Sequence, residues 1–219
     1  MLRSLVSFAI MSALLFLPAG TLAWPQAWGF LALFHICGLA LWLWLRKADP
    51  ALLQERQASP LEATQAPRDR AIMVAILVVF ALWLPLMALD VRFHWSHVSM
   101  AWQAVGAMLI VIAYAGWAWV LAFNSFASTQ IKLQPERGQV AVADGPYAFV
   151  RHPMYGFVVP LMVGVPLMLG SLWGLAILVP AIALMDARAR GEEALMMDGL
   201  AGYRAYAARV HHRLVPGLW

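Results

Sequence analysis

The chain has 219 residues, of which 63% are hydrophobic and only 12% charged, and it carries 11 tryptophans. That balance excludes an ordinary soluble domain and describes an integral membrane protein. The formal net charge of +4 does not point to nucleic acid, because the basic residues fall in short loops rather than in patches interleaved with aromatics; we read it as topological.

In chain order, apolar spans cover residues 5–23, 28–45, 71–89 and 101–123, each near the ~20 residues that cross ~30 Å of hydrocarbon. Four transmembrane helices are expected. The first imitates a signal peptide, with Arg3, an apolar core and Thr21-Leu22-Ala23, but is read as a retained span. Trp24, Pro25 and Trp28 mark the first external turn, where indoles sit at headgroup level. In the second span, Cys37 has no partner for an intrachain disulfide and is read as a buried bystander, and His35 is expected to bond a neighbouring helix or line a cavity rather than hold haem. Residues 47–70 form a cytoplasmic loop with a short interfacial helix around 51–57 and a solvated charged face. His94 and His97 stand at i and i+3 in an external loop without a third well-placed ligand, so no metal is expected.

The fifth apolar block, 157–185, is roughly 29 residues, long for one crossing and short for two, and Pro160, Pro166, Gly170 and Pro180 interrupt it. Charge decides its path. With the N-terminus inside, Arg3, Arg46, Lys47, Arg56, Arg68, Arg70, Lys132, Arg137 and Arg151 are cytoplasmic and only Arg92 is external. A single crossing would leave Arg188, Arg190, Arg204, Arg209 and Arg213 outside, so a helical hairpin turning at Gly170-Ser171 is expected to return them. The fold class is therefore all-α: a polytopic membrane protein with four transmembrane helices in residues 1–123, and a C-terminal helical hairpin and cytoplasmic amphipathic tail in residues 124–219.

The stretch "DGPYAFVRHPMYG", 144–156, opens the hairpin. Asp144-Gly145-Pro146 is turn chemistry, and Pro153 biases His152 toward extended backbone, so a helix should begin at or just after Pro153. Arg151 and His152 beside that helix start suit an anionic group, although interfacial anchoring explains the same residues. Arg137 is read as lying in an ordinary solvated loop. In the tail, Glu192 and Glu193 lie in a helical pattern that Gly199 and Gly202 weaken, and Tyr203, Tyr206, Arg209 and Val210 fall at i, i+3, i+6 and i+7, on one helical face. A carboxylate pair, two phenols and an arginine would thus converge near Arg151-His152. An amphipathic helix resting on headgroups has the same periodicity.

The succession "GPYAFVRHPMYG", an apolar hairpin, "RARGEEAL", "GYRAYAARV" and "RLVPGLW" resembles the isoprenylcysteine carboxyl methyltransferase family, and "DPALLQER" and "LDVRFHWS" resemble its bacterial branch. The resemblance covers roughly residues 124–219. It implies transfer of a methyl from S-adenosylmethionine, entering from the cytoplasm, to a lipophilic acceptor in the membrane, and its bacterial branch suggests a bacterial inner membrane; the charge count above places both termini in the cytoplasm. By the same resemblance Arg151 and one of Glu192 and Glu193 are catalytic, and His152, Pro153, Tyr155, Tyr203, Tyr206 and Arg209 bind the cofactor. Gly156 follows Tyr155 directly, where relatives often place the glycine one residue later. Asn124 and Gln130 are candidates to line the acceptor route. No metal and no nucleic acid are expected as partners.

The chemistry is compatible with these residues. A sulfonium is a good leaving group, so the site has mainly to align donor and nucleophile and exclude water. For a carboxylate acceptor Arg151 would serve as the anchor, and for an amine or thiol Glu192 or Glu193 would serve as base. Two other readings stay open: an NADPH-dependent reductase of the sterol-reductase type, against which the carboxylate pair argues, and a non-catalytic membrane scaffold.

Overall fold

The computed structural model describes residues 2–59, 61 and 65–217, with side chains from residue 4. The Arg3 side chain used in the charge count, and Leu218-Trp219 of the last motif, lie outside the described residues. Secondary structure among the described residues is helical throughout: α1 (Leu2–Ala19), α2 (Pro25–Ala48), α3 (Pro50–Gln57), α4 (Pro67–Phe93), α5 (Met100–Phe123), α6 (Pro153–Gly156), α7 (Val158–Leu169), α8 (Leu178–Gly199) and α9 (Tyr203–Arg209). Short 3-10 turns occupy Pro135–Arg137, Gly145–Ala148 and Trp173–Ile177.

Three helices, α2, α4 and α5, are long and apolar enough to cross a membrane, while α1 and the segment Pro153–Leu169 are apolar but shorter. The three carry many large apolar side chains on the outside, among them Leu43, Leu77, Leu82 and Trp119, as a lipid-facing surface does. The first span ends earlier than its hydropathy suggests. Gly20 takes a left-handed φ of 70° and its N–H bonds Phe16 O at 3.0 Å, which closes α1 at Ala19 and leaves Thr21–Trp24 non-helical.

The chain forms two compact units, each assembled from separate stretches. The first comprises Met1–Leu41, Ile76–Tyr114 and Val158–Ile182. Within it α5 and α7 cross at glycines. A Cβ added to Gly106 would lie 2.6 Å from Gly164 O, and one added to Gly164 would lie 2.7 Å from Gly106 O, so the two backbones touch as only small residues allow. The hairpin turn falls where expected: α7 stops at Leu169, Gly170 has φ 87°, and Ser171 follows. Asp90, fully buried at the end of α4, pins this turn by accepting from Ser171 Oγ at 2.5 Å and from Ser96 N and Oγ at 2.8 and 2.6 Å. His35 Nδ1 lies 2.8 Å from Leu31 O of its own helix, so this nitrogen bonds within α2 rather than to a neighbouring helix. Cys37 is half-buried rather than buried.

The second unit comprises Trp42–Ala75, Ala115–Phe157 and Ala183–Trp219. Arg46 and Lys47 in the last turn of α2 complement its dipole, and Asp49 then caps α3, its Oδ1 accepting from Leu52 N at 2.9 Å with Pro50 in the first helical position. The return arm of the hairpin does not end at Met185 as read from hydropathy. It continues as α8 to Gly199, so Glu192 and Glu193 stand on the same helix as the return arm. Gly202, at φ 82°, then starts α9 in a new direction.

Candidate active site

The site is built within the second unit. Asn124 extends α5 by one bond, its N–H reaching Val120 O at 3.1 Å, and its Nδ2 donates to Tyr147 Oη at 2.7 Å. Tyr147 is the aromatic residue of the Gly145–Ala148 turn. Gly145 has φ 58° and an added Cβ would meet the Phe123 ring at 2.6 Å, so glycine is required there by conformation and by space. Tyr206 of α9 donates its hydroxyl to Tyr147 O at 2.9 Å, and Val120, Tyr147, Tyr203, Tyr206 and Ala207 form one buried cluster.

The Arg151–Gly156 stretch is held from behind by the C-terminal segment. Arg151 N donates to His212 O at 2.9 Å and His152 N to Arg213 O at 2.8 Å, while a Cβ on Gly156 would come within 2.5 Å of Leu214 O. The position of this glycine directly after Tyr155 is thereby explained: the following C-terminal strap passes too close for any side chain. As the sequence indicates, α6 begins at Pro153 with His152 just before it.

Five ionic groups meet over α8. Glu193 is buried; its Oε1 lies 2.8 Å from Arg151 Nε and 3.2 Å from His152 Nε2, and its Oε2 lies 3.1 Å from Arg213 Nε. Glu192, one residue earlier, accepts from Tyr155 Oη at 3.2 Å and stands 3.6 Å from His152 Nδ1. The His152 and Tyr155 rings stack at 5.6 Å. Burial opposes charge on the His152 ring, but the two carboxylates outweigh it and its pKa is raised to about 9. Burial likewise opposes charge on Glu193, but His152, Arg151 and Arg213 hold its carboxyl down at about 2. Glu192 is lowered too, against burial, by His152 first and by Arg188 and Tyr155. At neutral pH the cluster is therefore imidazolium and two carboxylates.

A cavity of about 320 Å³ opens beside this cluster. Arg151, His152, Tyr155, Glu192, Tyr203, Tyr206 and Asn124 line it. The remaining sequence-derived residues stand elsewhere. Glu193 is behind the wall in the ion cluster, Pro153 is buried at the start of α6, and Arg209 is exposed on α9. Gln130 is buried and spends its Nε2 on Ser59 O at 2.8 Å. The i, i+3, i+6 spacing that groups Arg209 with the tyrosines does not hold it to their side, because six residues advance ~600°, ~120° away from Tyr203. Arg137 is not in a solvated loop. Its guanidinium donates to Gln134 Oε1 and Ser125 Oγ and covers the Phe126 ring.

Among the lining residues that were not singled out as site candidates from the sequence are Tyr147, Arg188 and Arg56. Arg188 precedes Glu192 by four positions on α8, a one-face spacing that was available as a signal, and its Nε meets Asp69 Oδ1 at 3.2 Å while Nη2 donates to Thr129 O at 2.7 Å. Arg56 carried no such signal, because α3 is brought to the cavity by contacts distant in sequence.

The matched region coincides with most of this geometry. Residues 101–201 match the phospholipid methyltransferase family. That family falls in the same clan of membrane methyltransferases as the isoprenylcysteine carboxyl methyltransferases that the motifs resemble. The phospholipid methyltransferase match includes Arg151, His152, Tyr155, Glu192 and Glu193, and it stops before Tyr203 and Arg213. No curated protein matches the chain. With three membrane-length helices and a match to a methyltransferase family, the chain is a membrane protein for which that family supports methyltransferase activity.

Proposed function

We propose that the protein transfers a methyl group from S-adenosylmethionine to a lipophilic acceptor, with the amine of a phospholipid headgroup as the leading acceptor and a lipophilic carboxylate or thiol as the others. The observation that carries the reading is the cavity beside the Arg151–His152–Glu192–Glu193 cluster, inside the span matched to the phospholipid methyltransferases. The cavity lies at the lower end of the ~300–1,000 Å³ typical of small-molecule sites. Its residues fit a nucleoside sulfonium: Tyr203 Oη is buried without a hydrogen-bond partner among the described residues, and the tyrosine faces offer stacking surface.

When bound, S-adenosylmethionine supplies an electrophilic methyl whose thioether leaves without acid assistance. Glu192, kept ionised by His152 and Tyr155, orients an amine acceptor by hydrogen bonding and relays its proton toward water. For a carboxylate acceptor, Arg151 would be the anchor: Nε and Nη1 are spent on Glu193 and Val210 O, and Nη2 makes no hydrogen bond among the described residues. Glu193 holds Arg151 and His152 in place rather than touching ligand. The walls supplied by Met154, Met196 and Leu200 exclude water from the reacting atoms.

Calorimetric titration of the purified protein tests this. S-adenosylhomocysteine should bind and NADPH should not; binding of NADPH alone would replace methyl transfer by reduction. The topology belongs to the same proposal, with α1, α2, α4, α5 and both hairpin arms embedded and both termini in the cytoplasm of a bacterial inner membrane. In a Cys37→Ala background, a cysteine placed at position 219 should react with membrane-impermeant maleimide only after the cells are opened, and labelling of intact cells would refute that orientation.

A further inference from the structure

Arg56 stands apart from the other cations of the cavity. Arg151 faces Glu193, His152 faces both glutamates and Arg188 faces Asp69, whereas no described carboxylate lies within ion-pair distance of Arg56. Among the described residues its guanidinium donates one hydrogen bond, from Nη1 to Ala127 O at 2.9 Å. Burial lowers its pKa, and a guanidinium remains charged at any physiological pH. A partly buried cation that has donors to spare and no counter-ion is costly unless an anion arrives.

Its position is held from both ends of α3. Asp49 caps the helix and also accepts from Ser125 Oγ, while past the last turn Thr129 Oγ1 donates to Ala58 O at 3.1 Å and Gln130 Nε2 to Ser59 O at 2.8 Å. Those contacts aim Arg56 into the same space as Tyr147, Tyr155 and Glu192. Glu192 gives the cavity a place for a cationic group, and Arg56 gives it a separate one for an anion.

We propose that Arg56 is an anion-binding residue of this site, receiving an anionic oxygen group that belongs either to the amino-acid end of the methyl donor or to the phosphate of a lipid acceptor. The proposal rests on the methyl-transfer reading above. Such a contact selects ligands carrying charges of both signs, matched by Glu192 at one point and Arg56 at another.

The test uses the full chain in detergent, as wild type, Arg56→Gln, Arg56→Lys and the exposed control Arg46→Gln. Calorimetry compares S-adenosylhomocysteine with methylthioadenosine, which lacks the amino-acid carboxylate. Thermal shift compares dihexanoyl phosphatidic acid with dihexanoylglycerol, which lacks the phosphate. If the donor carboxylate is the partner, Arg56→Gln weakens S-adenosylhomocysteine roughly tenfold or more and leaves methylthioadenosine alone. If the lipid phosphate is the partner, Arg56→Gln instead abolishes the stabilisation by phosphatidic acid. In either case Arg56→Lys recovers part of the loss and Arg46→Gln matches wild type. Equal behaviour of Arg56→Gln and wild type with all four ligands overturns the proposal, as does equal weakening of ligands with and without the anion. Wild-type protein that binds no S-adenosylhomocysteine but shows Arg56-dependent stabilisation by phosphatidic acid would sink the methyl-transfer reading and leave the anion site standing.

Discussion

Glu193→Gln is expected to cost about 3 kcal/mol of stability, at the lower end of what removing one member of a buried ion pair costs. The Glu193 carboxylate is buried between Arg151, His152 and Arg213, at 2.8, 3.2 and 3.1 Å. Glutamine keeps the volume and leaves these positive groups with only Glu192 and Asp186 to face. The pH dependence gives the change a signature. Glu193 is depressed from 4.5 to about 2, so its contribution is full above 4.5 and is lost as pH falls toward 2. His152 is raised from 6.5 to about 9, so its contribution is full below 6.5 and is lost as pH rises through 9. Both are therefore complete between pH 4.5 and 6.5. Thermal unfolding followed by tryptophan fluorescence should show wild type most favoured over the variant in that window, with the gap narrowing on either side. A gap independent of pH would mean that Glu193 is not the charge partner described here.

Glu192→Gln should do the opposite, lowering methyl transfer tenfold or more, about 1.4 kcal/mol or above in the barrier, while shifting stability by less than about 1 kcal/mol. Adjacent residues on a helix point ~100° apart, so two neighbouring carboxylates cannot serve one cavity equally. Glu192 is the one on the cavity wall, half-buried and bonded to Tyr155 Oη; Glu193 is turned into the ion cluster. Incorporation of labelled methyl into membrane lipid, compared at equal protein, is the readout. A parental rate in Glu192→Gln would remove this carboxylate from the chemistry.

Much of the candidate site's geometry is legible in the sequence. Arg151, His152 and Tyr155 stand together because Pro153 starts a short helix directly after the non-helical His152, a local rule that sequence carries directly. Tyr203 and Tyr206 share a face because three residues on a helix return near the same side, and both are buried. Arg209 shows the limit of that rule, since the drift over six positions moves it into solvent. The role of Glu193 against Glu192 was open for a different reason. Apolar periodicity treats both alike, and only the approach of Arg151, His152 and Arg213, 20 to 42 residues away in the chain, tells them apart.

The same division holds for the fold. Hydropathy located the apolar helices found among the described residues, because an apolar helix that satisfies its own backbone is written as a continuous local run. Gly170 announced the hairpin turn because few other residues adopt its φ of 87° without strain. What sequence by itself did not carry was the placing of α3. Arg56 looks like one charge on a solvated loop until Asp49, Thr129 and Gln130 tie that helix to the segment after α5 and turn the guanidinium into the cavity. Local propensity determines where helices start, stop and bury a face; which charges meet across a cavity depends on contacts between residues some 70 positions apart, and those exist only in the tertiary structure.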